Sequence, residues 1–562
     1  MTLFDLSKEL VILILEELDP WTLLQFCNAS QWIHLIAFNC TALRYKYELA
    51  LCGLKDGPRS LQLPRARLEQ LLNHKRGWPT LSWSLEDILR IAPPTIIGVS
   101  GGFLFHASES SLNNGHFQWT LQLYELRSFR KVAAPLRHLK YNVPFDIRRV
   151  AIDPSQNLMV LADLYHPSNN SVITARLHFL DLWTFQQHRQ AAQLRYTFHT
   201  DWWGVLPPGQ RIWIQQVEIC GNKVGLGVRL EIEEGEGTTE LMIVNWRTGR
   251  PRRYSGDLLS FQFMSEIRLL VASHPDDDDD DDDDDEESES EEPTMTWEHR
   301  EDGIYMTERG QRTPQITLHD ISDDIEPPFP RIRIYELPES WSAVSCMQIC
   351  PNASPRSEAE VTPGTFFYSD PSQRIVVVSV QLDAKAIPAG CSRNFMLIFD
   401  ESLPCPPGRG EEIIVRWPEW RNRCLVRNLP DGAHSLQVVG RRLMFFDNIA
   451  APTATGPSNT RDDPRSRLRM LDFNSYAPNY LQSLKSSPAP WTWGGSWTTI
   501  TAVVPHRVLP YIRTSTVDGY DLTCINVTED GLVLYDEYEE ETIVKILTFG
   551  KDPRLRGRNL AA

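Results

Sequence analysis

The sequence has no apolar run long enough to cross a membrane. A membrane-spanning helix needs about 18 to 20 consecutive apolar residues, whereas the tightest run here covers residues 11–15 and is bounded by Glu9, Glu16 and Glu17. No basic segment precedes this run, so the pattern of a secretory signal peptide is also missing. We therefore expect a chain of 562 residues that does not insert into a membrane.

Cysteines at metal-binding spacing are missing too. The ten cysteines include no C-x-x-C pair, and the closest two, Cys346 and Cys350, have no histidine following at ligand distance. Structural zinc sites need clustered ligands, so we predict no metal and no other cofactor. Scattered cysteines are typical of free thiols in a reducing compartment, and we expect a cytoplasmic location, a nuclear location or both.

The chain also lacks an excess of basic residues. Its 56 Lys and Arg residues stand against 74 Asp and Glu residues, for a formal charge of -18. Residues 276–292 hold ten Asp and five Glu with no basic residue, so they contribute -15 and leave the rest of the chain at -3. A nearly neutral remainder lacks the positive field that nucleic-acid binding requires. We predict no nucleic-acid partner.

Catalytic motifs are absent, or a turn explains them. Residues 98–102 match the G-x-S-x-G pattern of a hydrolase nucleophile, but that motif needs a strand, a sharp turn and a helix. Residues 103–106 are predicted as a second strand, so two glycines in a turn between strands explain the pattern. No P-loop and no H-E-x-x-H sequence occurs. We predict no catalytic residue and no enzymatic activity.

The N-terminal region is predicted to be helical. Residues 1–53 read as four helices, and residues 54–92 read as a helical extension. Short side chains that accept hydrogen bonds at helix N-termini precede the apolar segments; these are Asp5 or Ser7, Asp19, Ser30 and Thr41. Gly53 is predicted to end the fourth helix in a left-handed conformation.

The first predicted helix is too apolar for a helix that buries only one face. Aliphatic side chains at position 6 and at positions 10–15 cover nearly its whole circumference. Each such side chain contributes about 1.5–3 kcal/mol when it is covered. An exposed apolar patch marks a partner surface, unless the rest of the chain covers it. Both interpretations are open at this point.

Residues 6–37, LSKELVILILEELDPWTLLQFCNASQWIHLIA, resemble an F-box, whose pattern opens with Leu-Pro-x-Glu-Leu and continues into a second helix. The matching positions are Leu6, Glu9, Leu10, Ile14, Leu18, Leu23 and Leu24. Ser7 stands where the pattern has proline, and Ile33, after Trp32, stands at the common aromatic position. Residues 42–83 are similar to a basidiomycete (fungal) group of F-box proteins, with a Tyr-Lys-x-Glu-Leu-Ala helix, an Asp-Gly-Pro turn and an Arg-Leu-x-x-Leu helix ending in tryptophans.

From residue 93 the pattern changes to short strands separated by Gly, Pro, Asn and Asp clusters. Similar strand segments recur at residues 119–126, 176–183, 240–246, 331–337, 394–400, 468–473 and 531–537. Two Asp-Pro-Ser-Gln turns, at residues 153–156 and 370–373, resemble the turn between the middle strands of WD-type blades. Units of this size predict a seven-bladed β-propeller over residues 93–550. Six or eight blades, or a stacked pair of β-sandwiches, are the alternatives.

The acidic run falls between strands predicted at residues 269–272 and 332–335. We therefore expect it on a blade loop of about 55 residues, disordered over residues 274–300 because consecutive like charges cannot pack. A solvated insertion explains the run. A competitor for a basic ligand surface, or a kinase target at Ser288 and Ser290, are the alternatives. Residues 551–562 are predicted as a C-terminal tail.

Together these features predict an α+β multidomain protein, in which a small all-α F-box-like helical bundle precedes an all-β propeller. The resemblance implies docking on the Skp-type adaptor of a Skp–cullin–F-box ubiquitin ligase, through Leu6, Ser7, Leu10, Ile14 and Leu18, continued by Leu23 and Leu24. The propeller would bind an unknown protein substrate. The alternatives are an interaction scaffold not linked to ubiquitination and a propeller that binds a glycan or a small molecule.

Overall fold

The computed structural model describes most of the chain. The described residues are 5–58, 62–111, 117–131, 137–165, 173–200, 211–233, 236–273, 295–300, 303–308, 314–325, 327–338, 341, 344–382, 393–403, 412–430, 433–448, 466–474, 499–504, 509, 511–516, 524–537 and 541–550. None of the helices they form is long and apolar enough to span a membrane. The acidic run and the predicted C-terminal tail lie outside the described residues.

Five helices form the N-terminal region: α1 (Lys8–Glu17), α2 (Pro20–Ala29), α3 (Gln31–Asn39), α4 (Thr41–Cys52) and α5 (Pro64–Thr80). The predicted caps at Asp19 and Ser30 are confirmed, since both side chains accept hydrogen bonds from backbone N–H groups of the first turn. Gly53 ends α4 with a φ of 63°, which glycine adopts without steric cost. Ser7 occupies the predicted position before α1, whereas the predicted cap at Thr41 is wrong. Ser7 makes no side-chain cap, and α4 already begins at Thr41.

The predicted helical extension, residues 54–92, also contains two strands. β1 (Leu54–Asp56) follows Gly53, and β2 (Leu85–Ile91) follows α5. β2 alternates half-buried and exposed residues, as a strand with one face on a core does. It pairs with the last strand of the chain. β2 therefore belongs to the sheets and not to the helical region.

The remaining strands form antiparallel sheets. The first holds β3 (Ile96–Ser100), β4 (Phe103–Ser111), β5 (Phe117–Glu125) and β6 (His138–Val143), and the second holds β7 (Arg149–Asp153), β8 (Leu158–Tyr165), β9 (Thr174–Asp181) and β10 (Arg195–His199). An eight-stranded sheet follows, with β11 (Arg211–Cys220), β12 (Lys223–Glu233), β13 (Glu236–Asn245), β14 (Arg250–Ser265), β15 (Arg268–Ser273), β18 (Gln315–Asp320), β19 (Arg331–Glu336) and a parallel edge strand, β24 (Ile413–Val415). β16 (Met295–Arg300) and β17 (Gly303–Glu308) form a separate hairpin.

Three more sheets complete the chain. One holds β20 (Val344–Cys350), β22 (Ile375–Leu382), β23 (Asn394–Asp400) and β25 (Cys424–Asn428), with α6 (Trp417–Trp420) before β25 and β21 (Phe367–Ser369) between β20 and β22. The next holds β26 (His434–Val439), β27 (Arg442–Asn448), β28 (Ser466–Asp472), β30 (Tyr511–Thr516) and β29 (Thr499–Val504). The last holds β31 (Cys524–Val527), β32 (Gly531–Glu537), β33 (Thr542–Thr548) and β2.

These sheets close into a ring. The inner strands contact one another in the series β3, β7, β11, β14, β20, β26 and β31, and β31 contacts β3 again. β2 completes the last sheet by pairing with β33, from Leu85↔Thr548 to Ile91↔Thr542. A closed ring of antiparallel sheets is a β-propeller. The predicted propeller is therefore confirmed, and the described strands do not form a stacked pair of β-sandwiches.

The predicted number of blades is not supported. The described strands form five separate sheets of four or five strands, whereas the prediction was seven blades. The reason is β14, which runs unbroken for 16 residues, pairing with β13 in its first half and with β15 in its second half. This single strand joins two groups of strands into one sheet, and no periodicity in the sequence marks it.

The seven strand segments predicted from the repeat are confirmed as strands; they are β5, β9, β13, β19, β23, β28 and β32. They do not occupy equivalent places, because β32 is a second strand and β19 follows β18, while the other five are third strands. This explains their uneven spacing. The predicted loop of about 55 residues is wrong, since the β16–β17 hairpin and β18 lie within it and β18 pairs with both β15 and β19.

Apolar side chains pack mainly between neighbouring sheets. Phe179 of the second sheet and Trp246 after β13, for example, belong to one buried cluster. The helices share in this core. Trp78 of α5 is fully buried, and its ring lies 4.6 Å from that of Phe549, just after β33. The α5 helix is therefore part of the propeller core.

Candidate functional site

Helix α1 presents an apolar strip to solvent. Leu10, Leu13 and Ile14 are 49%, 58% and 43% exposed, whereas Val11 and Leu15 are fully buried. Residues three and four apart are neighbours on a helix surface, so the three exposed side chains are continuous. We call Leu10, Leu13 and Ile14 the α1 strip. The rest of the described chain does not cover it, which removes one of the two interpretations of the apolar first helix.

The residues that the resemblance assigned to adaptor binding divide into a surface set and a buried set. Leu10 and Ile14 lie on the α1 strip, and Ser7 is exposed just before the helix. These three side chains are therefore accessible to a partner.

The other four assigned residues belong to the helical core. Leu6 and Leu18 are half-buried against it. Leu23 and Leu24 of α2 are fully buried, because the face of α2 that carries them packs against α3 and α4. Leu23 and Leu24 support the helices from within and have no exposed surface to offer a partner.

Three exposed apolar side chains were not among the assigned residues. Leu13 completes the α1 strip, and its position three residues after Leu10 and next to Ile14 was a usable signal. Phe26 of α2 and Leu35 of α3 are 42% and 54% exposed. Both helices are apolar on several sides, so the sequence does not indicate which of their residues face solvent.

Residues 351–374, which we call the connecting segment, attach the helices to the propeller. The segment lies between β20 and β22, and its strand β21 pairs with β1, from Leu54↔Ser369 to Asp56↔Phe367. The Tyr45 hydroxyl lies 2.8 Å from Asp56 Oδ1 and 3.0 Å from Phe366 O. The strand that follows α4 thus continues into a small sheet with the propeller, which fixes the orientation of the helices.

The second Asp-Pro-Ser-Gln turn lies at this junction. The Asp370 carboxylate accepts hydrogen bonds from the N–H and the hydroxyl of Ser372, at 2.9 and 2.8 Å, which is how an aspartate shapes such a turn. It also contacts the Lys55 ammonium at 3.2 Å and the Trp21 indole N–H at 3.3 Å. The first turn, at Asp153, has the same internal hydrogen bonds and joins β7 to β8.

Arg130 links the connecting segment to the last sheet. Its guanidinium contacts the two oxygens of Asp530 at 2.8 and 2.9 Å and Glu529 at 2.9 Å, and it donates to Phe367 O at 3.0 Å. Burial alone would raise the pKa of Asp530, but the adjacent Arg130 guanidinium holds this pKa below its usual value. The cluster is therefore charged at neutral pH and ties separate parts of the chain together.

His74 of α5 is buried beside this cluster. Its Nε2 atom lies 2.9 Å from Glu529 O and 3.1 Å from Trp78 Nε1. Burial, with the charges of Arg442 and Arg130, lowers the pKa of His74 to about 3. A neutral imidazole at this position connects α5 to the turn between β31 and β32, and its role is attachment.

The G-x-S-x-G residues are a strand and a turn. Gly101 and Gly102 have φ values of 56° and 80° and lead directly into β4. The Ser100 hydroxyl accepts a hydrogen bond from Ile152 N at 2.9 Å, so it links β3 to the neighbouring β7. The interpretation of this motif as a turn between strands is confirmed.

The two ends of the propeller carry different connections. Turns between first and second strands contact one another: Gly101 approaches the backbone of Ile152, and Gln156 Nε2 donates to Gly221 O at 2.9 Å. The connecting segment and the Arg130 cluster lie at this end, which we call the helix end. The second strands end at the opposite side of the ring, for example at Ser111 of β4 and Tyr165 of β8, and we call this side the loop end. Ser273, the last residue of β15, also lies at the loop end.

Among the described residues, no group of three or more His, Cys, Asp or Glu side chains is arranged to hold a metal ion. The eight described cysteines are free thiols. Burial raises the pKa of the Cys27 and Cys52 thiols to about 11, which disfavours the reactive thiolate. These described side chains are placed for packing.

No family model matches the chain, and no curated protein matches it. Among solved structures, the chain is similar to the β-propeller domain of the Trilobed protease from Pyrococcus furiosus, with 9% identity and a TM-score of 0.36 over 82% of this chain and 100% of that chain. It is also similar to the WD40 domain of SCAP from fission yeast, with 8% identity and a TM-score of 0.29 over 83% of this chain and 95% of that chain.

A third similar structure is a Trypanosoma rangeli sialidase in complex with the inhibitor DANA, with 9% identity and a TM-score of 0.25 over 70% of this chain and 56% of that chain. The propeller assignment rests on the closed ring of sheets described above. The predicted membership of a basidiomycete F-box family is not supported by any of these comparisons.

Proposed function

We propose that the chain is a non-catalytic adaptor, which binds the Skp-type adaptor of a cullin-based ubiquitin ligase at the α1 strip and a protein substrate at the loop end. The single observation that carries the proposal is the α1 strip. Three aliphatic side chains of one short helix are exposed to solvent, and an exposed apolar patch on a folded protein marks an interaction surface.

The α1 strip is large enough to anchor a partner but too small to form a whole interface. Covering a half-exposed leucine or isoleucine contributes on the order of 1 kcal/mol. A standard interface buries about 800 Å² on each partner, so the surrounding polar surface of the helices must contribute as well. Ser7, at the start of α1, and the acidic Glu9 and Glu16 are exposed beside the strip. They would form the polar rim.

The separation of the two ends supports an adaptor with two partners. The helices attach at the helix end through β1 and the connecting segment, and the second strands β4, β8 and β15 end at the opposite, loop end. A rigid frame with variable loops suits substrate binding. Holding substrate and ligase on one frame raises their effective concentration, and this requires no chemistry by the chain itself.

The test is binding of a purified Skp-type adaptor to the full chain, measured by pull-down and titration. Leu10→Asp and Ile14→Asp each introduce a charge into the α1 strip, and we expect either substitution to abolish binding. Leu194→Asp is the matched control, because Leu194 is 45% exposed and lies far from α1 in the sequence, before β10. Unchanged binding by the Leu10 and Ile14 variants would show that the docking assignment is wrong.

A second experiment tests the link to ubiquitination. Proximity labelling with and without proteasome inhibition separates substrates that are degraded from partners that persist. We expect some labelled proteins to accumulate only when the proteasome is inhibited, and to do so less with the Leu10→Asp variant. Stable partners whose abundance never changes would favour the alternative, a scaffold that is not linked to ubiquitination.

We also propose a finer description of the frame and of its location. If the eight-stranded sheet is counted as two blades that share β14, the propeller has seven blades. The inner-strand series, in which β11 and β14 both take part, supports this count. An experimental structure in which β11 to β19 form one undivided blade would refute it. Eight free described cysteines support the cytoplasm or nucleus, which a fluorescent fusion would test.

A further inference from the structure

The helix end of the propeller contains a polar cavity of about 340 Å³. The turns of the first, second and last sheets and the connecting segment form its wall. The charged and aromatic side chains on this wall are Glu125, Lys131, Arg137, Trp183 and Asp530, with Phe103 beside them. Small-ligand sites occupy about 300–1,000 Å³, so the cavity has room for one small ligand or one side chain of a peptide.

Lys131 brings one positive charge to the cavity wall. The nearby carboxylate of Asp530 is held by Arg130 through both of its oxygens, at 2.8 and 2.9 Å, and Glu529 is held by Arg130 at 2.9 Å. Lys131 itself forms no ion pair with the described residues. Burial lowers the pKa of Lys131, and the charge of Asp530 partly offsets that effect. Burial thus leaves the ammonium group poorly hydrated, and no carboxylate of the described residues forms an ion pair with it.

Arg137 is the second cation on the wall. Its guanidinium lies 4.0 Å from the centre of the Trp183 ring, in a cation–π contact. The Trp183 ring is itself fixed, since its Nε1 donates to Asn157 Oδ1 at 2.8 Å. Arg137 makes no ion pair with the described residues, and the aromatic contact holds its guanidinium at the cavity wall.

We propose that this cavity binds an oxyanion, a phosphate or a carboxylate group, through Lys131 and Arg137. Of the two carboxylates on the wall, Asp530 is engaged by Arg130 through both oxygens, whereas Glu125 forms no ion pair with the described residues; the charges of both act on Lys131. Ammonium and guanidinium donors on one wall are the groups that bind oxyanions in proteins. This site is separate from the α1 strip, so its test does not depend on the proposed adaptor function.

Isothermal titration calorimetry of the full chain tests the site, with inorganic phosphate, a phosphoserine peptide and its unphosphorylated counterpart as probes. We expect the wild type to bind at least one of the two phosphate-bearing probes. Lys131→Met and Arg137→Gln should weaken binding about fivefold to tenfold. Glu125→Gln removes the opposing carboxylate and should tighten binding about twofold to fivefold.

Arg195→Gln is the matched control, because Arg195 is an exposed arginine on β10 outside the cavity wall, and we expect no change in affinity. The backbone of Lys131 bridges to Thr365, so the fold of that variant is checked by circular dichroism. Arg137 is exposed and its variant keeps the test decisive if Lys131→Met does not fold.

The probes also distinguish the source of the oxyanion. Binding of inorganic phosphate assigns the site to a free anion, and binding of the phosphoserine peptide alone assigns it to a segment of a partner protein. Either result supports the proposal when the Arg137 and Glu125 variants shift affinity in opposite directions. No binding of any probe by the wild type, or affinities that neither variant changes, would overturn it.

Discussion

Buried charged residues join distant parts of this chain. Arg130 and Asp530 are 400 residues apart and form a two-point contact, and Arg130 also contacts Glu529 at 2.9 Å. No local pattern in the sequence pairs such residues, since the pairing depends on how the ring closes. The sequence therefore could not predict the attachment of the helices. A buried pair also fixes geometry more than it adds net stability.

Replacing Arg130 tests this attachment. Arg130→Met would leave Asp530 and Glu529 buried without their partner, which costs about 3–5 kcal/mol of unfolding free energy. Arg127→Met is the control, because its pair with Asp87 is one-third exposed on each side and contributes at most about 1 kcal/mol. Urea unfolding measures both. Equal losses for the two variants would show that the Arg130 cluster is not a point of attachment.

His106 of β4 is a buried histidine that has no hydrogen-bond partner among the described residues. It is 3% exposed, neither ring nitrogen has a partner in the described chain, and its ring stacks on Tyr124 at 5.8 Å. Burial, with the nearby His138, lowers the pKa of His106 to about 4. In the unfolded chain a histidine pKa is about 6.5, so between these values the unfolded state binds the extra proton and the folded state does not.

The stability contribution of neutral His106 is accordingly complete above about pH 6.5 and is lost as the pH falls toward 4. We expect His106→Phe, which keeps an aromatic ring, to remove this part of the pH dependence. The wild type should lose on the order of 2 kcal/mol relative to the variant between those values. Thermal unfolding across pH 4 to 7 measures the difference, and a difference that does not change with pH would contradict the assignment.

Among the helices and strands, most could be predicted from the sequence, but which strands pair with one another could not. The periodicity of α1 to α4 and the caps at Asp19 and Ser30 were sufficient to predict these helices because the signals are local. We predicted β2 as part of a helical extension. Its residues form a strand because they pair with β33, which lies more than 450 positions later in the chain, and a local pattern does not show that pairing. We predicted one loop between β15 and β19 because the acidic run dominates the composition of this connection. The short apolar segment that forms β18 was therefore not recognised as a strand.

Two substitutions in α1 test which face of this helix is buried. Leu15→Ala creates a cavity at a fully buried position and should cost about 2–5 kcal/mol. Leu10→Ala, at a position 49% exposed, should change the unfolding free energy by less than about 1 kcal/mol. Chemical denaturation of both variants checks the orientation of the helix. The reverse ranking would mean that the α1 strip is buried and cannot be a docking surface.

On the scale of the whole molecule, the charge of -18 misleads about the folded frame. The acidic run that carries most of it lies outside the described residues, and the strands on either side of the connection pair directly, for example Leu269↔His319 and Val271↔Thr317. The ring closes without the run. The sequence was enough to separate this charge from the frame, because ten consecutive aspartates are a local signal.

Deleting residues 276–292 tests that separation. We expect the variant to fold with a thermal midpoint within about 2 °C of the wild type, because shortening a connection changes its closure entropy only slightly. Differential scanning calorimetry measures the midpoint, and native electrophoresis confirms the loss of charge. Failure of the propeller to fold would show that the run belongs to the frame.

In the proposed function, the chain bridges two partners and binds a Skp-type adaptor at the α1 strip. Hydrogen–deuterium exchange of the full chain with and without a purified Skp-type adaptor tests it most directly. We predict slower exchange in residues 6–18 on complex formation, and no change at the loop-end termini of β4 and β8. Failure to form a complex, or protection at the loop end with none in residues 6–18, would contradict the account.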